Sequence, residues 1–177
     1  MLSVKRRDAT ALLSQREALI DLLLDAVQSG SSVGFVLPLS RDEAGRYWDG
    51  LLPSVADGSR LLWTALNGAG LVGSVQLELA TKKNGLNRAE VQKLLVHSRA
   101  RRGGVGRALM QALEAAARGR YDLILMDCQM PVMDGFTAAS EIRRTQTTGR
   151  RTPIIAMTAY ASVEDRDRCF ASGMDDF

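Results

Sequence analysis

Residues 93–127 read KLLVHSRARRGGVGRALMQALEAAARGRYDLILMD, and this stretch decides the fold. An apolar run leads into a glycine-rich turn, then into a segment with helical apolar spacing, then into a second apolar run that ends at Asp127. The pattern predicts two parallel strands joined by a right-handed helical crossover. Asp127 would then lie at the carboxyl end of a parallel strand, where ligand sites occur in such sheets.

The remainder of the chain predicts alternating elements on both sides of this unit. Apolar spacing predicts a helix over 9–28, and Ser40-Arg41-Asp42-Glu43 is a capping-box pattern that begins a second helix. Turn residues such as Asn67-Gly68 and Asn84-Gly85 separate the predicted strands, which are 60–66, 71–79 and 89–96. The glycine turn and the residues after it predict helix 104–118, strand 122–127, helix 135–145, strand 153–158 and helix 162–171. We therefore predict an α/β fold with a single mixed sheet, in which an antiparallel meander is continued by a parallel βαβα unit.

The amino-acid composition and charge limit the possible functions only broadly. The chain has 177 residues, 46% of them hydrophobic and 24% charged, as expected of one globular domain. A net charge of +3 does not require a nucleic-acid partner, and no run approaches the roughly 20 apolar residues of a membrane span. Cys128 and Cys169 match no metal spacing, so we expect free thiols in a reducing cytoplasm. No signal peptide is recognised, and we expect a cytoplasmic protein without a membrane partner.

The glycine-rich turn has the composition of an anion site. It reads Arg101-Arg102-Gly103-Gly104-Val105-Gly106-Arg107. Amides at a helix start have no intrahelical partners and, together with the helix dipole, attract anions. Glycine lets the backbone approach a pyrophosphate closely, and arginine adds charge-assisted hydrogen bonds. The turn predicts a phosphate-binding site; the alternative is a simple turn flanked by solvated arginines.

The pattern Arg101-x-x-Gly104-x-Gly106 between a strand and a helix resembles the acetyl-CoA signature of the GNAT N-acetyltransferases. The resemblance spans about residues 4–118, includes the segments SVGFVLPLS and AEVQKLLV, and is similar to small bacterial enzymes that acetylate amines. It implies that the amides of about 103–107 hold the pyrophosphate of acetyl-CoA. It also implies that the strand edge at Leu95, Val96 and His97 pairs with the pantetheine arm, and that the acceptor is a small amine.

Acetyl transfer also needs a base that deprotonates the amine. Glu90, on the strand before the turn, is the first candidate, and Glu78 is the second. For each, the alternative is a solvent-facing carboxylate on an alternating strand. His97 is the only histidine, and it lies where the family uses the backbone, so we expect an exposed loop residue.

A second resemblance covers about residues 121–177. DLILMDCQMPVMDG, followed by PIIAMTA, resembles the receiver domain of response regulators and hybrid sensor kinases. It implies that Asp127 is the phosphoacceptor, that Thr158 contacts the phosphoryl group and that Gln129 is a backbone Mg²⁺ ligand. The family pattern also contains an acidic pair after a first strand and a lysine after a fifth strand, and neither is found here. Because Mg²⁺ needs several oxygen ligands and phosphoryl transfer needs charge neutralisation, we expect no Mg²⁺ site and an inactive Asp127.

The two resemblances meet inside a helix. Residues 108–120, ALMQALEAAARGR, suit either family, so we place the crossover between about Leu109 and Tyr121. We predict one hybrid domain over 1–177, with a GNAT-like part at 1–118 and a receiver-like, flavodoxin-like part at 119–177. A join inside both folds without a linker indicates an engineered or recombined chimera. The strands flanking this helix are neighbours in a GNAT but not in a receiver, and a vacant sheet position would allow a homodimer.

Three functional hypotheses remain open. The first is a GNAT-like acetyl-CoA binder whose transferase activity is impaired or absent, because a foreign segment, CQMPVMDGFTAAS, replaces part of the substrate wall. The second is a structural chimera with no ligand. The third, and least favoured, is a phosphoaccepting receiver module of a two-component system. The sequence does not specify the acceptor amine.

Overall fold

A computed structural model describes residues 1–30, 34–80, 88–117, 123–128, 134–145, 151–157 and 163–176. These residues form six strands: β1 (Ser3–Arg7), β2 (Arg60–Asn67), β3 (Gly70–Leu79), β4 (Arg88–Val96), β5 (Leu123–Asp127) and β6 (Ile154–Met157). The strands make one sheet in the order β1-β2-β3-β4-β5-β6. Pairing is antiparallel from β1 to β4 and parallel from β4 to β6. The predicted single mixed sheet is therefore confirmed.

Helices cover the two faces of this sheet as separate layers. Their bounds are α1 (Ala9–Ser14), α2 (Arg16–Gln28), α3 (Arg41–Gly50), α4 (Leu52–Ala56), α5 (Val105–Ala117), α6 (Gly135–Thr145) and α7 (Val163–Ala171). The helices α1 to α4 bury their apolar residues against Leu62, Leu71 and Leu95 on one face. Residues of α5, α6 and α7 form a second cluster with the opposite face, which includes Val91, Ile124 and Ile154. None of the helices among the described residues is long and apolar enough to cross a membrane.

The first 30 residues differ from the prediction in two ways. The predicted helix over 9–28 is divided at Gln15, whose backbone leaves the helical region and whose side chain accepts a hydrogen bond from Thr64 Oγ1 at 3.2 Å. The strand β1 was not predicted, because its SVKRR sequence is mostly charged and it lies at the edge of the sheet. The predicted cap at Ser40 is present, since its Oγ accepts from the Glu43 amide at 3.2 Å.

The contact between β4 and β5 joins the two parts of the chain. Paired positions run from Arg88 with Leu123 to Val91 with Met126. The rest of β4, residues 92–96, has no β5 partner among the described residues. The strands on either side of α5 are thus direct neighbours, which is the GNAT arrangement and not the receiver arrangement. Beyond this pairing, β4 continues to Val96 and leads towards the start of α5.

The outer edge of β6 is closed by residues near the carboxyl terminus. Ile155 pairs in parallel with Asp176, and the Asp175 amide donates to Ile154 O at 2.8 Å. Arg143 on α6 secures this segment, because its Nε donates to Gly173 O at 2.7 Å and its Nη1 donates to Thr152 O at 3.0 Å. Burial lowers the pKa of Arg143 from its usual value.

Gly73 on β3 lies directly against the start of α5. A Cβ placed there would lie 2.8 Å from Val105 Cγ1, 2.9 Å from Leu95 O and 3.0 Å from Leu109 Cδ1. Val105 and Leu109 belong to the first turns of α5, and both are buried. The missing side chain at Gly73 therefore sets how closely the glycine-rich turn approaches the sheet.

We predict that Gly73→Ala lowers the free energy of unfolding by about 1–3 kcal/mol, because the added methyl overpacks against backbone and buried side chains. Urea denaturation measures this difference. Gly68→Ala is the matched control, since a Cβ at Gly68 would contact nothing within 4 Å. Equal stability of the Gly73 and Gly68 variants would contradict this packing.

Candidate anion-binding cleft

The glycine-rich turn leaves several backbone amides available at the start of α5. The first intrahelical bond runs from the Ala108 amide to Gly104 O at 3.0 Å, so the amides of 105–107 have no helical acceptor. Gly104 has φ +77, a left-handed conformation that favours glycine. Arg102 adopts φ 62 in spite of its side chain, a strained conformation that costs about 1–2 kcal/mol. Such strain is concentrated at ligand sites in proteins.

A cleft of about 450 Å³ lies at this turn. It is lined by eight residues that come from the end of β4, the turn and the first turn of α5, namely Val96, Ala100, Arg101, Arg102, Gly104, Val105, Gly106 and Arg107. Val96 belongs to the part of β4 that has no β5 partner among the described residues. The structure thus brings together most of the residues that the sequence assigned to a cofactor.

The Arg101 guanidinium is the least satisfied group in the cleft. Its Nε and Nη2 atoms are buried and have no hydrogen-bond partner among the described residues. A buried cationic donor without an acceptor is costly, and each such group in a native protein calls for a reason. Arg101 also lines the cleft, so an anion that reaches its guanidinium from there would supply the missing acceptors.

The backbone N–H and C=O groups at the end of β4 face different edges of the strand from one residue to the next. The His97 amide donates to Val72 O at 2.9 Å, so this residue is used by β3. Because successive residues of a strand direct their N–H and C=O groups to opposite edges, those of Val96 face the side where β5 is absent. Val96 lines the cleft, whereas Leu95 is buried in the opposite cluster and pairs with Ser74.

The imidazole of His97 is held away from the cleft by Asp25 on α2. His97 Nδ1 lies 3.3 Å from Asp25 Oδ1, and the Ser98 amide and hydroxyl both donate to the Asp25 carboxylate at 2.6 Å. The side chain is one fifth exposed, so it is less open than the expected loop residue. This arrangement fixes the exit of β4 against the helical layer.

The two candidate bases are neighbours on adjacent strands. Glu78 on β3 and Glu90 on β4 occupy paired positions. Glu78 forms an ion pair with Arg60 Nη2 at 2.7 Å. Arg60 Nη1 also donates to Gln76 at 2.8 Å and to Gln92 at 2.9 Å. Glu90 is half-buried and accepts no hydrogen bond from the described residues, so its carboxylate is the more available of the two.

Sequence reasoning missed an aromatic group next to these polar side chains. Phe35, before α3, meets Tyr47 on α3 edge to face, with ring centroids 5.3 Å apart. The Lys93 ammonium lies over both rings, 5.7 Å from the Phe35 centroid and 5.9 Å from the Tyr47 centroid. Burial raises the pKa of Tyr47 to about 12, and Gln76 Nε2 donates to its hydroxyl at 2.9 Å. No short-range pattern links these residues, because 58 positions separate Phe35 from Lys93.

The receiver-like residues lie only partly within the described chain. Asp127 ends β5, where its backbone pairs with Met157, but its side chain lies outside the described parts. Gln129 and Thr158 also lie outside them. The described residues contain no group of three or more His, Cys, Asp or Glu that could hold a metal ion.

Charged residues connect the start of α5 to α6. Glu141 accepts from Arg144 Nη2 at 2.6 Å, and Arg107 Nε lies 3.2 Å from the same Glu141 oxygen. The hydrogen bond from Arg144, together with the charge of Arg107, holds the pKa of Glu141 below its usual 4.5. The Arg107 side chain is thus partly engaged by the receiver-like part, while its amide remains available to the cleft.

Comparison with known proteins gives a family for the second half of the chain. The response regulator receiver domain family matches residues 83–177, which include β4, the glycine turn and α5. The hybrid signal transduction protein dokA of Dictyostelium discoideum is 53% identical over 68 residues, 38% of this chain and 4% of that protein. Histidine kinase 1 of Arabidopsis thaliana is 54% identical over 56 residues, 31% of this chain and 5% of that protein. The matched segment is thus a small part of each relative.

The solved structures that this chain resembles include acetyltransferases. An aminoglycoside acetyltransferase from an uncultured soil metagenomic sample, in complex with sisomicin, superposes with a TM-score of 0.56 at 17% identity, covering 92% of this chain and 96% of that one. A PaiA N-acetyltransferase from Thermoplasma acidophilum, in complex with coenzyme A, gives 0.52 at 15% identity, covering 67% and 72%. The chain therefore has a GNAT fold, and this fold extends over residues whose sequence matches the receiver family.

Proposed function

The chain belongs to the response regulator receiver domain family over residues 83–177, and because it folds as a GNAT acetyltransferase we propose that its cleft binds acetyl-CoA. One observation carries this proposal: Arg101 lines a cleft formed at a helix start, and its buried guanidinium has no partner for Nε and Nη2 among the described residues. A pyrophosphate is the anion that fits a row of free amides beside an arginine fork.

Each part of the cleft has a role in this proposal. The amides of 105–107 and the Arg101 guanidinium hold the pyrophosphate. The backbone groups of Val96, which have no β5 partner among the described residues, pair with the pantetheine arm, as a strand would. Bound acetyl-CoA supplies an acetyl thioester. Glu90, on the paired part of β4, is the residue that takes a proton from an acceptor amine.

Transfer to an external amine is expected to be weak or absent. The acceptor expected for such a cleft is a small amine, and an aminoglycoside acetyltransferase is among the proteins that share this fold. In this chain, residues 128–140 come from the receiver-like sequence, and they contain no tyrosine that could act as an acid. Loss of acceptor positioning costs orders of magnitude in rate even where the cofactor still binds.

The family match favours a second candidate, phosphorylation of Asp127. Asp127 lies at the carboxyl end of a parallel strand within the matched region. The neighbouring strand is β4, which continues with Gln92 and Lys93 beyond its pairing with β5 and so offers no acidic pair at this level. For this reason we rank phosphorylation below acetyl-CoA binding.

We predict that isothermal titration calorimetry detects acetyl-CoA binding in the micromolar range, which corresponds to about −8 kcal/mol. Arg101→Met should weaken it by about tenfold or more, because a charge-assisted hydrogen bond contributes about 1.5–3 kcal/mol. Arg46→Met is the matched control, since Arg46 is exposed on α3 and does not line the cleft. Asp127→Asn should bind normally. Absence of binding, or equal losses in the Arg101 and Asp127 variants, would contradict the assignment.

A separate prediction concerns the second candidate. Incubation with acetyl phosphate and Mg²⁺, followed by intact-mass spectrometry, should reveal no phosphoryl group on the chain. A phosphorylated species that is present in the unmodified chain and lost in Asp127→Asn would establish the receiver activity instead.

A further inference from the structure

Lys93 presents a primary amine in a defined aromatic setting. Its Nζ lies over the rings of Phe35 and Tyr47 at 5.7 and 5.9 Å, and 3.2 Å from the position that a Cβ on Gly34 would take. Cation–π contacts with two rings favour an ammonium group at this point. We call Phe35 and Tyr47 the aromatic cradle. The aromatic cradle thus holds a primary amine of the chain itself, the Lys93 Nζ.

The backbone places Lys93 on the same end of β4 as Val96, which lines the cleft. The β3–β4 register shifts between Ser74 and Gln76, and Lys93 lies in the resulting bulge with φ 48. Bulges redirect a side chain. A left-handed backbone conformation at a lysine costs about 1–2 kcal/mol, which contacts with the surrounding residues must offset. The last β4–β5 pair is Val91 with Met126, so Lys93 is near the start of the unpaired part of β4. That part carries the edge assigned to the pantetheine arm.

From this placement we infer that Lys93 is an acetylation site, modified by acetyl-CoA bound in the cleft of the same chain. This inference depends on the proposed acetyl-CoA binding. The reaction does not need the missing substrate wall, because the amine is already held beside the strand along which the thioester would lie. Intramolecular placement of this kind replaces the binding and orientation of an external acceptor.

The chemistry balances without a further reactant. The Lys93 ammonium first loses a proton to Glu90 or to water, and the neutral Nζ attacks the thioester carbonyl carbon. A carbon–nitrogen bond forms and the carbon–sulfur bond breaks. The CoA thiolate leaves and takes up a proton, so the products are acetyl-lysine, CoA thiol and one released proton. The modification removes the charge that the aromatic cradle holds.

The experiment incubates the full chain with acetyl-CoA and follows each lysine by peptide mass spectrometry. Lys93 should be acetylated at least about tenfold faster than Lys5, an exposed lysine on β1, because Lys93 lies on the strand assigned to the pantetheine arm and Lys5 does not. The Lys93 rate should saturate with acetyl-CoA and fall when CoA competes. Acetyl phosphate, an acetyl donor that lacks the nucleotide, should not show this preference. Equal rates at Lys93 and Lys5, or insensitivity to CoA, would overturn the inference.

Two variants separate this inference from the proposed function. Phe35→Leu removes half of the aromatic cradle and should slow Lys93 acetylation several-fold while leaving the calorimetric affinity for acetyl-CoA unchanged. Arg101→Met should lower both. Normal acetyl-CoA binding without Lys93 acetylation overturns the inference alone, whereas no binding overturns both proposals.

Discussion

The parallel pairing of four β4 residues with four β5 residues is the contact on which the rest of the structure depends. It makes the strands on either side of α5 direct neighbours and carries the sheet from the antiparallel part into the parallel part. The receiver arrangement would place another strand between them. The described pairing ends at Val91 and Met126, and the unpaired end of β4 contributes Val96 to the cleft at the glycine-rich turn.

Packing across the junction makes two ancestries compatible. Ile124 and Met126 of β5 are buried in the same cluster as Val91 of β4 and Leu109 of α5, so receiver-family residues complete a GNAT-type core. The largely buried carboxylate of Glu141 forms ion pairs with Arg107 from α5 and with Arg144 from its own helix. A buried carboxylate without such partners would be strongly unfavourable. The same family match that covers Asp127 also covers the turn that we assign to the pyrophosphate, so one segment serves both resemblances.

The sequence predicted those features that depend on local pattern. The strands 60–66, 71–79 and 89–96 and the helix after Gly104 were found within a few residues of the expected bounds, because their apolar periods are strong. The strand Ser3–Arg7 was not predicted, because an edge strand needs few apolar residues. The break at Gln15 was not predicted either, because it depends on a hydrogen bond to distant Thr64. Strand adjacency at the junction was undetermined, because a helix followed by a parallel strand is common to both families. Of the candidate site, the turn could be read from glycine spacing, whereas the aromatic cradle is assembled from residues far apart in sequence.

Disulfide trapping tests the β4–β5 contact most directly. Glu90, Leu125 and Ile155 occupy one row across β4, β5 and β6. Neighbouring strands lie about 4.8 Å apart, within the Cα separation of up to about 7 Å that a disulfide allows, whereas strands with another between them are about 10 Å apart. The double variant Glu90→Cys, Leu125→Cys should therefore form a disulfide on mild oxidation, identified by peptide mapping, and the control Glu90→Cys, Ile155→Cys should not. Failure of the first pair to form, with normal folding by circular dichroism, would mean that β4 and β5 are not neighbours and that the cleft is not built as described.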